Sequence, residues 1–247
     1  MRHMLSSAVF AGFAAGLLCA LLQYILVEPK ILLAERYESG ELVHFQGVPT
    51  AAAQADAMAK SMPGMEMSAA PAGLGHGEAE GSSPYRGALT VLFAVLTYCG
   101  YGLVLMGGIQ IAEQIGIKLG LAQGVLWGLA GFAAFQLMPA LGLQPDLPGT
   151  PSADLQARQV WWALTAACTA MGLWLLSYGH GLVQRAAGVA LLAAPHVWGA
   201  PVLPEFAGVA PPELASAFAA RSLGVGLITW MALGGMLVTL WHSEPAK

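Results

Sequence analysis

Six stretches of this 247-residue chain are apolar almost throughout and hold no Lys, Arg, Asp or Glu: Ser6–Val27, Gly87–Ile111, Leu119–Leu143, Gln159–Tyr178, Ala186–Leu203 and Ser222–Trp241. About 20 residues at 1.5 Å rise cross a hydrocarbon core of ~30 Å. The runs do not alternate polar with apolar as barrel strands do, and backbone in lipid must satisfy its own hydrogen bonds, so each run predicts a helix. The expected fold is all-α: a polytopic membrane bundle of five or six transmembrane helices in one domain, residues 1–247. Five spans are clear. The stretch Ala186–Leu203 is short, carries Pro195, His196 and Pro201, and reads as a broken or re-entrant span. The first apolar run extends to Val27, longer than the apolar core of a signal peptide, and is read as a retained span.

Composition supports the same picture. The hydrophobic fraction is 57% and the mean hydropathy is +0.64, so there is too little charge to cover a water-facing surface. Cys19, Cys99 and Cys168 all lie inside spans, an odd number that makes no disulfide framework; they read as small packing residues. Small residues recur four apart at Ala8, Gly12, Gly16 and Ala20, and at Gly120, Gly124 and Gly128, a spacing that lets helices approach closely in lipid. Trp161, Trp162, Trp198 and Trp241 stand near span ends, where indoles anchor at headgroups, and Trp127 lies deeper.

Charge is concentrated in one place. The segment Glu28–Arg86 holds four Lys or Arg against eight Asp or Glu, a net −4 that equals the formal charge of the whole chain. Its first part, Pro29 to about Phe45, can form a helix at the membrane surface, with Pro29 suited to a first turn. Its second part, about Gly47–Ser83, is rich in Ala, Gly, Met, Ser and Pro without periodicity and reads as a flexible loop. Basic residues are denser in the short segments around Arg2, Lys118, Arg185 and Lys247, which places the N-terminus inside and the acidic segment outside.

Candidate chemistry follows from the polar exceptions. His196 is the one ionisable side chain read as lying well inside a span, beside Pro195, which removes a backbone donor; an imidazole next to freed carbonyls suits a divalent transition metal, and a histidine bonded between helices is the structural alternative. Met58, Met62, Met65 and Met67, followed by His76, place thioethers and an imidazole near carboxylates. Thioethers lean toward Cu⁺, imidazole and carboxylate toward harder divalent ions. Asp146, in a turn stiffened by Pro145 and Pro148, and Glu28, just after the first span, can present carboxylates at a pore mouth or can simply be solvated. No phosphate-binding loop, His-Glu-x-x-His, Gly-x-Ser-x-Gly, Cys-x-x-Cys or polybasic patch is present, which argues against ATP hydrolysis, the corresponding enzymes and nucleic-acid binding.

The block Leu126-Trp127-Gly128-Leu129-Ala130-Gly131-Phe132-Ala133-Ala134-Phe135, then Pro139 to Gly149, then Arg158-Gln159-Val160-Trp161-Trp162, strongly resembles the CbtA family of proposed cobalt transporter subunits. Val27-Glu28-Pro29, Ala34 to Glu38, Ala194-Pro195-His196 and Phe218 to Leu223 fit too, so the resemblance covers nearly the whole chain. It implies a component of the bacterial inner (cytoplasmic) membrane that imports cobalt for cobalamin synthesis, without a tightly bound cofactor, carrying Co²⁺ (or Ni²⁺ or Cu⁺) as cargo. It also implies a partner, CbtB, a small single-span protein with a histidine-rich end; homo-oligomerisation stays open. Family members often carry a histidine-rich stretch in the first long loop, here reduced to His76 beside the methionines. A copper-handling membrane protein using that loop, and a non-transporting scaffold for a small metal-binding partner, are the alternatives.

Overall fold

A computed structural model describes residues 2–44, 84–205 and 208–243. They form seven helices, with no strand among the described residues: α1 (Arg2–Leu26), α2 (Glu28–Glu38), α3 (Pro84–Gln114), α4 (Leu121–Ala140), α5 (Leu155–Tyr178), α6 (Gly181–Trp198) and α7 (Pro212–His242). Five of them, α1, α3, α4, α5 and α7, are long and apolar enough to cross a membrane. The all-helical membrane fold expected from the apolar runs is the fold observed.

Helix ends differ from the span ends, for a physical reason. Charged residues mark where hydrocarbon stops, but a helix continues into the headgroups until a cap or breaker stops it. Thus α7 starts at Pro212, ahead of Arg221, and α5 starts at Leu155, where Asp154 accepts a hydrogen bond from Ala157 N at 2.9 Å. The surface helix α2 closes at Glu38, short of the expected Phe45, where Gly40 takes φ 78°. The fifth apolar run is shifted: α6 covers Gly181–Trp198 instead of Ala186–Leu203, because Gly181 (φ 85°) admits the turn before it and Gly199 (φ 91°) ends it. Its 18 residues correspond to about 27 Å.

The helices pack as a chain of neighbours. α1 lies between α3 and α7, α7 also packs along α4, α4 meets α5, and α5 pairs with α6. Three of these contacts are glycine crossings. A Cβ on Gly12 would stand 2.5 Å from Cys99 Cα, and one on Gly16 2.5 Å from Val95 Cα, so α1 and α3 touch backbone to backbone. A Cβ on Gly124 would stand 2.6 Å from the Gly234 carbonyl oxygen, and one on Gly128 would overlap the Trp230 carbonyl, which joins α4 to α7. Gly172 and Gly188 join α5 to α6, each 2.9 Å from the other's carbonyl in the same sense. Between these crossings Tyr98, Tyr101, Phe135 and Trp230 form an aromatic centre, with Tyr101–Trp230 centroids 4.6 Å apart and Phe135–Trp230 stacked at 5.6 Å. Thr165, Thr229 and Thr239 donate to carbonyls four residues earlier, which satisfies their hydroxyls without water.

Both described termini lie at one end of the bundle. The His3 ring sits 5.4 Å from Trp241, whose Nε1 donates to Glu113 at 3.0 Å, while His242 Nε2 lies 2.9 Å from the other Glu113 oxygen. At the opposite end Arg221 donates to the Leu26 carbonyl at 3.2 Å, Arg86 pairs with Glu35, and Gly149 lies against Glu38 and Val209. Beyond α2, Arg36 donates to Glu41 at 2.8 Å and holds its carboxyl below the usual range, a solvent-exposed interaction present at neutral pH and lost on acidification.

Gly128→Val separates α4 from α7 and lowers the thermal midpoint in detergent by the equivalent of at least about 1–3 kcal/mol. Gly107→Ala, at a helical position with open space around the added methyl, leaves the midpoint unchanged or raises it by up to about 1 kcal/mol. Circular dichroism melts of both variants check the pair.

Candidate functional site

The site begins with a proline. In α4, Pro139 has no N–H for the carbonyl four residues earlier, that of Phe135, and its ring crowds that carbonyl. The helix responds with a π-helical segment, Ala133–Leu137, inserted before the last turn Met138–Ala140. The Phe135 carbonyl accepts instead from Trp162 Nε1 of α5 at 3.2 Å. Gln136 is the fourth residue of this segment, and its side chain fills the space left by the missing Cβ of Gly226 on α7.

Two pockets meet at Gln136. The outer one, about 670 Å³, runs between Pro139, Asp146, Arg158, Trp162 and Ser222. The inner one, about 490 Å³, runs from Arg86 at the start of α3 to Cys19, Tyr98, Tyr101 and Gly226. Gln23, Gln136 and Ser222 line both. The pair makes a cleft from the loop after α4 to the aromatic centre, with an apolar wall broken by a few polar side chains. At its base the Tyr98 hydroxyl and the Gln136 amide are buried, and Tyr98 has Cys19, Thr229 and Gln136 as its polar neighbours. A phenol can donate and an amide oxygen can only accept, so these neighbours can serve each other.

The residues singled out from the sequence fall in separate places. Asp146 lines the outer pocket and pairs with Arg158 at 2.8 Å. Glu28 opens α2, half-buried, and lies near Arg86, which pairs with Glu35. His196 is not deep in a span: it stands in the last turn of α6, because the helix begins five residues before the apolar run and ends at Trp198. Its ring meets Trp161 edge-on at 5.9 Å, its Nε2 is buried without a partner, and it lines neither pocket. Met58, Met62, Met65, Met67 and His76 lie outside the described residues. Among the described residues, no three His, Cys, Asp or Glu side chains converge as a metal site would require.

The tryptophans expected as headgroup anchors serve other ends. Trp161 is 5% exposed and donates to the Pro195 carbonyl at 3.2 Å, Trp162 bonds α4, and Trp241 bonds Glu113. Trp198, 78% exposed, keeps the anchor position. Trp127 packs on Trp174 and Tyr178, as its depth suggests.

A family model described as probable cobalt transporter subunit (CbtA) matches residues 1–242. The chain belongs to the CbtA family. No curated protein and no solved structure matches it. The CbtA assignment makes this a membrane protein of metal transport, described as one subunit of its transporter.

Gln23, Tyr98, Gln136 and Ser222 are all neutral and escape a reading based on charge. One signal was available: an amide inside a span three residues before a proline, Gln136-Leu137-Met138-Pro139. Trp162→Phe removes the donor to the Phe135 carbonyl and costs about 1 kcal/mol of stability, read as a lower thermal midpoint in detergent with helix content unchanged at room temperature.

Proposed function

We propose that this chain is the membrane subunit through which Co²⁺, or a related divalent transition-metal ion, enters a bacterial cell across the inner membrane to supply cobalamin synthesis. The reading rests on one observation, the cleft at the centre of a CbtA-family bundle. The net −4 segment between α1 and α3 faces outward and raises the local cation concentration. Asp146 stands at the cleft mouth; an arriving dication competes with Arg158 for its carboxylate. The methionines and His76 of the outer segment capture ions before the mouth. A small, single-span, histidine-rich partner of the CbtB kind completes the transporter. The chain transports and does not catalyse. With no nucleotide-binding loop in the sequence, the membrane potential is the available drive, about 4.6 kcal/mol per dication per 100 mV.

Six crossings fit this arrangement. α6 runs back along α5, with Pro195 near Trp161 and Gly188 near Gly172, and the described termini meet at Trp241. Both termini are then cytoplasmic, and the connection Gly199–Pro211 is extracytoplasmic.

Proteoliposomes holding the chain and its small partner accumulate Co²⁺ under an inside-negative potential. Asp146→Asn lowers the initial rate roughly tenfold, the equivalent of about 1.4 kcal/mol. His196→Ala, remote from the cleft, keeps uptake within about twofold (~0.4 kcal/mol). Accumulation no greater than in empty liposomes refutes the reading. Reporter fusions at either terminus give cytoplasmic activity; opposite faces would mean that α6 does not cross.

A further inference from the structure

Among the described residues that line the inner pocket, one side chain is charged, and its charge is positive. Arg86 stands at the end nearer α2, in the first turn of α3, and the other lining residues, from Gln23 and Thr90 to Tyr98, Gln136 and Ser222, are neutral. The outer pocket differs, since Asp146 and Arg158 both line it and compensate each other there. The partner of Arg86 belongs to another element and does not line the pocket. Both Nη atoms of the guanidinium donate to the Glu35 carboxylate of α2, Nη1 to Oε2 at 3.3 Å, and Glu28 of the same helix lies near as well. Seven residues separate Glu28 from Glu35, close to two helical turns, so the two carboxylates share one face of α2. That helix is itself held in place: Ala34, next to Glu35, is fully buried, and α2 packs against both α1 and α7.

A single fixed charge acts strongly in such a place. The pocket wall is largely apolar, and a cleft with low-dielectric walls focuses the field of a charge along its length. The start of α3 adds positive character of its own, because the unbonded N–H groups of a helix N-terminus lie there. A guanidinium held on Glu35 presents little net charge to the pocket. A released one presents a full positive charge to any cation moving toward Tyr98 and Gln136. We propose that the Arg86–Glu35 pair is the charge filter of the inner pocket: cations enter while Glu35 and Glu28 hold the guanidinium on α2, and release of Arg86 shuts them out. Both side chains of the pair reach water, and an ion pair of this kind is weak enough to exchange. The filter rests on the transport reading only for the identity of the cation, since the field acts on any charged solute that enters the pocket.

Cys19 lines the same pocket and serves as the reporter. Full-length protein carrying Cys99→Ser and Cys168→Ser, in nanodiscs, is treated with a cationic trimethylammonium and an anionic sulfonate form of a thiosulfonate reagent, and the two rates of Cys19 modification are compared. Their ratio cancels the reactivity of the thiol itself. Arg86→Gln raises the cation-to-anion ratio about fivefold or more, Glu28→Gln with Glu35→Gln lowers it by about as much, and Arg86→Lys, which keeps the charge, stays near the parent value. Both shifts shrink in about 1 M salt, where the screening length falls to ~3 Å. Circular dichroism checks that helix content matches the parent in each variant. A ratio that either neutral substitution leaves unchanged, a shift in the same direction in both, or a Cys19 that neither reagent reaches overturns the filter and leaves the transport reading standing. Opposite shifts in a protein that moves no Co²⁺ in proteoliposomes support the filter and overturn transport.

Discussion

Backbone contact between helices is the constraint on which this structure depends. In lipid there is no hydrophobic force to press one apolar helix on another, so association comes from dispersion at short range and from the few polar groups that must be satisfied. The chain meets that requirement with glycine at Gly12 and Gly16 against α3, Gly124 and Gly128 against α7, and Gly172 facing Gly188. Where the backbones touch, no room is left for side chains. Where they diverge, the space is filled by the aromatic centre on one side and left as the cleft on the other. The cleft is therefore a consequence of where the crossings fall.

Two prolines and two neighbouring indoles add the second level. Pro139 distorts α4 and Pro195 lies inside α6, and the adjacent residues Trp161 and Trp162 of α5 each bond a carbonyl of one of these helices. Successive residues on a helix point about 100° apart, so neighbours in sequence reach helices on different sides. α5 is thus fastened to both partners by side-chain hydrogen bonds in a region where water is scarce, and the fastening to α4 is the one that fixes the π segment carrying Gln136. Substitutions at Trp162 and at Gly226 act on the same amide from opposite sides, one through its backbone and one through the space it occupies.

Much of the fold was legible in the sequence because the energetic cost of charge in hydrocarbon is large and local: a run of twenty residues without Lys, Arg, Asp or Glu is a helix in lipid wherever it occurs. Helix ends were less legible, since Arg158 and Arg221 mark the hydrocarbon edge and not the last hydrogen-bonded turn. The place of His196 along its helix was less legible for a related reason: it depends on where Gly181 and Gly199 let α6 begin and end. Of the candidate site, Asp146 was singled out from its stiff loop, and it lines the outer pocket beside Arg158. The base of the cleft was not, because Cys19, Tyr98, Gln136 and Thr229 are far apart in sequence and none is charged.

The sequence by itself determined that this is a helical membrane protein, that its net charge sits in one segment, and, through the block from Leu126 to Trp162, the family to which it belongs. Only the tertiary structure decided which polar groups share a pocket, that α6 folds back on α5, and that the described termini meet at Trp241. The reason is that insertion into lipid is a property of each segment alone, while convergence of neutral side chains depends on crossing points and helix rotations that no single segment contains.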